Sequence, residues 1–348
     1  MKVAFVYPNP RTALLDKVAA GEAPDTALLG QNHLHEHGVD ARIHQPRLRR
    51  RERRQGLRHR LTWNLRELTL PWEVGDVDLV VTSLANLFPL VARMRGRPRV
   101  LLLSYHLAAT YARSSRPRRR LLRAVISASA GVVCMSTAGR DRLLALTGAD
   151  PRNVHAALLG VDERFWTPAA PAQNGYVLTV GRDLARDYAT FARAVEGLPV
   201  RALIAAGPAN LAAVDLPANA EARFDIGADE VKDLYAGAGC VVVPTRREDY
   251  RYGTENSGTI ALLEAMASGR PVVVTERSTL AEYVRAGETA LTVAPEDPAA
   301  LRAAIETLLG DPERARKLGE RGRRQVEESH TTRHFAARLA GIIDSLEP

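Results

Sequence analysis

The chain has 348 residues, 46% of them hydrophobic and 25% charged, which reads as a soluble globular protein of two domains rather than one core. No apolar run approaches the roughly 18–20 residues of a membrane-spanning helix, and aromatics at 5% leave little to stack nucleic-acid bases. The net charge of +8 is concentrated in the first half and carried almost entirely by arginine, only four of the 48 basic residues being lysine.

The opening MKVAFVYPNPR reads as a first strand; it is too short and too soon broken by proline for a secretory leader, so a cytoplasmic location is expected. TALLGQNHLHEHG follows as a predicted helix. Its His33, His35 and His37, spaced by two, cannot all face one ion there, which predicts a solvated face and not a metal site. After the strand DARIHQ comes RLRRRERRQGLRHR (47–60), and a second basic run, RSSRPRRRLLR, occupies 113–123. Such stretches suit a peripheral contact with an anionic membrane at its inner face or an anionic substrate, against the plain alternative of a solvated basic surface. Asp76-Val77-Asp78 precedes the strand LVVTS, whereas a metal-binding Asp-x-Asp follows one, so a structural role is expected. RVLLLSY leads to His106, and GVVCMS holds Cys134; this thiol and Cys240 in GCVVVP read as buried and inert. The proline-rich DERFWTPAAPAQNGY (162–176) marks the boundary. Beyond it run the strands YVLTVGR, RALIAAG, EARFDIG, CVVVPT, PVVVTE and ALTVAP, with AALRAAIETLLGD as a helix. Strands alternating with helices predict two doubly wound parallel sheets, residues 1–161 and 162–332, with a last helix at about 333–346 returning to the first.

In open parallel sheets, ligands bind beyond the carboxyl ends of the strands. There stands ENSGTIALLEAMASGRPVVVT, residues 255–275. Its helix, from Thr259 to about Ser268, is apolar on two faces and still carries Glu264, a carboxylate that needs partners if buried. Ribose hydroxyls would serve. Ser257, Gly258 and Thr259 place hydroxyls and backbone N–H groups at the positive helix end, where a phosphate sits well. A salt-bridged Glu264 on a surface helix is the alternative.

The stretch resembles the donor-binding signature of the GT-B glycosyltransferases of family 4, retaining enzymes that use nucleotide-sugars. In that family two glutamates are separated by seven residues and the second opens a Glu-Ala-Met run, as Glu264 does; in the first position stands Asn256, with Glu255 one step out of register. LLGVDERFWTP resembles the family's interdomain segment, LYAGAGCVVVPT its helix-strand unit, and VLTVGRDLARDYATF the strand and loop that grip the diphosphate.

The resemblance implies two Rossmann-like domains facing a central cleft, and a UDP- or GDP-sugar donor held mainly by the second. Gly181, Arg182 and Arg186 would meet the diphosphate, Arg186 replacing a lysine with a guanidinium fork suited to phosphate. Glu264 would hold the ribose, and Glu255, Asn256, Ser257, Gly258 and Thr259 the donor sugar or phosphate. His106 occupies the place of a histidine beside the sugar. No metal and no cofactor beyond the co-substrate is implied; the acceptor is a small molecule or a lipid, not nucleic acid. An epimerase or hydrolase of the same fold, or a non-catalytic sugar-nucleotide-binding protein, are the competing readings.

Overall fold

The computed structural model of the chain describes residues 1–9, 11–45, 67–83, 87–169 and 175–346. The basic segment 47–60 falls outside them. The chain divides into two compact units.

The first unit takes in residues 1–17, 28–157 and the chain from Phe335. Its elements are β1 (Lys2–Val6), α1 (Thr12–Ala19, whose end passes to the second unit), β2 (Asp40–His44), α2 (Leu70–Glu73), β3 (Leu79–Thr82), α3 (Phe88–Arg95), β4 (Arg99–Ser104), α4 (Leu107–Arg113), α5 (Arg116–Ala128), β5 (Gly131–Cys134), α6 (Thr137–Thr147) and β6 (Val154–Ala156). The strands form one parallel sheet in the order β2-β1-β3-β4-β5-β6. Buried on both faces, the inner strands are apolar without alternation, as LVVT and GVVC show. One face, with Ala4, Val6, Val80, Leu102 and Val132, packs beneath the layer of α2 to α6 through Leu70, Phe88, Tyr111, Val125 and Leu143.

Three details differ from expectation. β6, only three residues long, has too little pattern to declare itself. TALLGQNHLHEHG is not one helix but two 3-10 segments, Asp25–Leu28 and Gln31–His37, separated by Gly30 at φ 73°. A Cβ at Gly30 would approach Ala336 of the last helix to 3.0 Å, so the break lets that helix pack closely. His33, moreover, is buried, with Nδ1 2.8 Å from Glu36 Oε1, while His35 and His37 are exposed.

The second unit takes in residues 18–27 and 158–334. It holds β7 (Tyr176–Gly181), α7 (Tyr188–Val195), β8 (Ala202–Ala206), α8 (Pro208–Leu211), β9 (Ala220–Phe224), α9 (Ala228–Gly237), β10 (Ala238–Val243), α10 (Thr259–Ala267), β11 (Val272–Thr275), β12 (Leu291–Val293), α11 (Pro298–Gly310) and α12 (Pro312–Ser329); α13 (Thr332–Ser345) starts in it and continues in the first unit. Its parallel sheet runs β12-β11-β10-β7-β8-β9. Strand order reverses between β7 and β10, and the carboxyl ends of these neighbours form the crevice where such sheets take ligands. The segment 18–27 is tied in by polar bonds: Asp25 N donates to Asp162 Oδ2 (3.0 Å) and Thr332 Oγ1 to Asp25 Oδ2 (3.0 Å). Cys134 and Cys240 are buried free thiols.

Candidate functional site

The loops leaving β7 and β10 meet at the crevice. Arg186 and Thr245 pair as an isolated bridge, Arg246 N donates to Ala185 O (2.8 Å) and Asp187 N to Pro244 O (3.1 Å). This stitching turns the Arg186 side chain inward. Its guanidinium covers Gly181, where a Cβ would come within 2.3 Å of Nε. Glycine is therefore required at 181 if the arginine lies there. The Arg186 side chain is 2% exposed. Its Nε lies 3.0 Å from Asp183 Oδ2, an ion pair whose alignment falls short of a hydrogen bond, and Nη1 meets no acceptor among the described residues.

Gly258 opens α10 in the left-handed region at φ 89°. A Cβ there would press on Val243 Cγ1 (3.0 Å) and Thr245 Cγ2 (3.1 Å), and would lie 3.6 Å from Arg186 Nη1. The helix mouth and the buried guanidinium are thus adjacent. Ser257 N and Thr259 N donate to Thr254 O (3.3 Å) and Asn256 O (3.2 Å), so these two N–H groups belong to the turn itself. Among the described residues nothing accepts from the N–H groups of Gly258, Ile260 or Ala261, the ordinary state of a helix start. The hydroxyls of Thr245 and Thr259 are also buried without a partner there. A buried guanidinium beside open N–H groups at a helix start suits an anion.

Glu264 stands in the second turn of α10, partly accessible and facing Tyr235, whose hydroxyl is 3.3 Å from Oε2. Burial pushes its carboxyl up to about 7, against the Tyr235 hydrogen bond and the Arg186 charge, which both pull it down. Glu264 is not a surface ion-pair partner. Tyr235 is itself buried, raised well above the ordinary phenol range by burial and by Glu264, and braced edge-on by Trp166 at 5.5 Å.

Arg182 is exposed at the same edge; Nη2 donates to Ile226 O at 3.3 Å, so the side chain lies across the ends of β8 and β9. Glu255 is buried and Asn256 half-buried. Their loop is fixed from below by Arg277, donating to Arg246 O (3.0 Å) and Thr254 O (2.8 Å), and by Thr279 Oγ1 to Glu255 O (2.5 Å). Ser257 Oγ accepts from Thr254 N (3.1 Å), which shapes the turn before the helix. His106 belongs to the first unit. It is exposed, caps α4 immediately after β4, and its Nδ1 lies 3.1 Å from Thr110 Oγ1.

The fold thus brings Gly181, Arg186, Gly258 and Glu264 into one patch with Arg182 at its rim. Sequence reasoning missed Tyr235, Thr245 and Arg277. Tyr235 had a signal, a tyrosine in the LYAGAG run ahead of a core strand; Arg277, after PVVVTE, had none.

Residues 209–325 match the family model described as "Glycosyl transferases group 1". Among curated proteins, the chain is 31% identical over 227 residues to D-inositol 3-phosphate glycosyltransferase 1 of Catenulispora acidiphila, covering 56% of this chain and 52% of that protein. It is 27% identical over 256 residues to alpha-maltose-1-phosphate synthase of Mycolicibacterium smegmatis, covering 63% and 64%. The match therefore spans about half to just under two-thirds of these relatives. Among solved structures, a sucrose-phosphate synthase of Thermosynechococcus elongatus superposes with a TM-score of 0.75 over 99% of both chains at 18% identity. The Anabaena HepE protein, solved with UDP and glucose, gives 0.71 over 99% of both at 14%. With two six-stranded parallel sheets, each doubly wound, the chain has the GT-B glycosyltransferase fold and carries in its second unit a region of the group 1 glycosyl transferases.

Proposed function

We propose that the chain transfers a sugar from a nucleoside-diphosphate sugar to an acceptor nucleophile, with retention of anomeric configuration. One observation carries the reading: Arg186 is buried with Nη1 lacking an acceptor among the described residues, and it adjoins the glycine that opens α10. A diphosphate is the anion of matching size and charge. Negative charge grows on it as the sugar departs, so donors already fixed there lower the barrier most. Arg182, at the rim, completes the clamp. These cations supply what a divalent metal supplies elsewhere, and chelation should leave turnover unchanged. Glu264 accepts from the ribose hydroxyls one turn inside the helix. By the resemblance, Glu255, Asn256 or the Ser257–Thr259 turn meets the donor sugar, and His106 stands near the sugar where the acceptor enters. In a retaining displacement the nucleophile approaches the face the diphosphate leaves, and a phosphate oxygen takes its proton. The acceptor is a small molecule or a lipid.

A thermal-shift series of nucleoside diphosphates tests the site, since a ligand bound only to the folded state raises the unfolding midpoint. Folded Arg182→Ala should lose turnover by a factor on the order of a hundred or more; unchanged turnover would remove that clamp. The configuration of the product, read by NMR, checks retention. Donor incubated alone separates transfer from epimerisation or hydrolysis.

A further inference from the structure

Between Asp78 and Asp141 the chain has eleven arginines and no acidic residue. Seven of them stand on α3 and α5, which pack side by side in the layer that also contains α2. Some are used internally. Arg93 Nη1 donates to Ser127 O (2.5 Å), Arg119 Nε to Tyr111 O (3.0 Å), and Arg95 binds Pro71 O while lying 5.2 Å over the Trp72 ring. Arg116, Arg118, Arg120 and Arg123 are exposed, and no hydrogen bond or ion pair engages their side chains among the described residues.

Apolar side chains protrude from the same layer. Of five large exposed hydrophobics described in the first unit, four are Leu68, Trp72, Met94 and Leu121, on or beside α2, α3 and α5; Met94 is 87% exposed and Trp72 57%. Isolated exposed hydrophobics are ordinary. Here they share three adjoining helices with guanidinium groups; Glu73, exposed at the end of α2, takes the Thr69 hydroxyl (2.6 Å), and no ion pair joins a carboxylate to the arginines of α3 and α5 among the described residues. A protein interface also takes Trp, Met and Arg, but it keeps charge out of its buried centre, whereas here exposed Arg120 and Arg123 flank Leu121. Nucleic acid calls for open aromatic faces, and the Trp72 ring is already covered by Arg95. A bilayer with acidic headgroups suits the mixture, holding cations at the headgroups and an indole or thioether at the acyl boundary.

We propose that the α2–α3–α5 layer of the first unit is a docking surface for anionic lipid bilayers, with Arg116, Arg118, Arg120 and Arg123 on the headgroups and Trp72, Met94 and Leu121 in the interface. This goes beyond the donor reading and does not depend on it. The test is cosedimentation of the full chain with vesicles of phosphatidylcholine alone, or mixed with phosphatidylglycerol, at low and high salt. Binding is expected only to the mixed vesicles and should weaken with salt. Replacing the four arginines together by glutamine should weaken it on the order of tenfold or more. Trp72→Ser with Met94→Ser should weaken it several-fold at either salt. Circular dichroism and the unliganded unfolding midpoint serve as the fold control for both variants. Absence of vesicle binding by the parent chain, equal binding to neutral vesicles, or binding that both folded variants retain would overturn the proposal. So would oligonucleotide binding through the same arginines without vesicle binding.

Discussion

The two sheets are alike in strand number and direction but differ at their carboxyl ends. In the first unit several polar groups there find local partners: Thr82 Oγ1 donates to Val6 O (2.8 Å), Tyr7 Oη to Leu28 O (2.6 Å), and His106 meets Thr110, while Arg11 Nε beyond β1 and His44 Nε2 at the end of β2 are buried without a partner among the described residues. In the second, Nη1 of a buried guanidinium, two threonine hydroxyls and three helix N–H groups remain unanswered among the described residues. Satisfied groups make an edge stable. Unanswered ones cost free energy that a ligand of opposite charge restores, so they store affinity. The same architecture thus gives one edge where a buried cation adjoins an open helix start, which suits an anion, and another where fewer buried side-chain atoms lack a partner.

Arg186→Ala strikes that contrast hardest. It should lower turnover by a factor on the order of 10²–10³ and abolish the thermal shift with nucleoside diphosphates. The unliganded protein should unfold at the same temperature or higher, because an incompletely paired buried charge has been removed. A large loss of unliganded stability would show that Arg186 is structural cement and that the edge stores nothing. Gly258→Ala comes next. Strain at φ 89° together with the contacts at Val243 and Thr245 should cost about 1–3 kcal/mol and blunt nucleotide binding. Chemical denaturation measures the first and calorimetry the second.

Why was so much of this edge legible in sequence, and where did legibility stop? Uninterrupted apolar strands such as YVLTVG and VVVT leave only the buried parallel reading, and α10 shows its ends through Gly258 and Ser268-Gly269. Glu264 stood out because a carboxylate in an apolar helix demands a partner. That the tyrosine of LYAGAG is its partner was not legible: Tyr235 lies 29 residues away, and only the sheet brings α9 beside α10. Arg277 likewise acts through backbone carbonyls, which any sequence would offer. The 3-10 break at Gly30 was missed because it answers to close packing by Ala336, a contact across the whole chain. His33 was misjudged for the same reason, its burial being set by the fold around the break rather than by spacing.

Glu264→Gln probes the carboxylate with a smaller effect. Two charge-assisted hydrogen bonds to a ribose would be exchanged for weaker ones, so affinity for nucleoside diphosphates should fall on the order of tenfold. Stability should move the other way. The carboxyl is raised in the folded chain from 4.5 to about 7, so its contribution is full below 4.5 and is lost as pH rises through 7. Glutamine has no charge to bury. The variant's unfolding free energy relative to the parent should therefore grow by up to about 3 kcal/mol across that window, and a flat difference would mean that Glu264 is solvated.

Tyr235→Phe is the finest cut, since it leaves the ring against Trp166 and removes only the hydroxyl. That hydroxyl has two acceptors within reach, Glu264 Oε2 at 3.3 Å and Ala261 O at 3.4 Å, and one proton to give. If the proton goes to the carboxylate, its loss removes support for the charged form, and the Glu264 midpoint should climb by less than about one unit. The carboxyl carbon resonance followed against pH would report the climb. If the proton goes to the carbonyl, the midpoint should stay or fall, because the hydroxyl then turned a lone pair toward the carboxylate. In the unliganded protein the first arrangement is expected: a charged acceptor binds a phenol proton more strongly than a carbonyl does, and Arg186 keeps part of that charge in place. Tyr235 then positions Glu264 for the ribose without touching the ligand. The signature is a shifted pH profile for nucleotide binding with little change in its plateau.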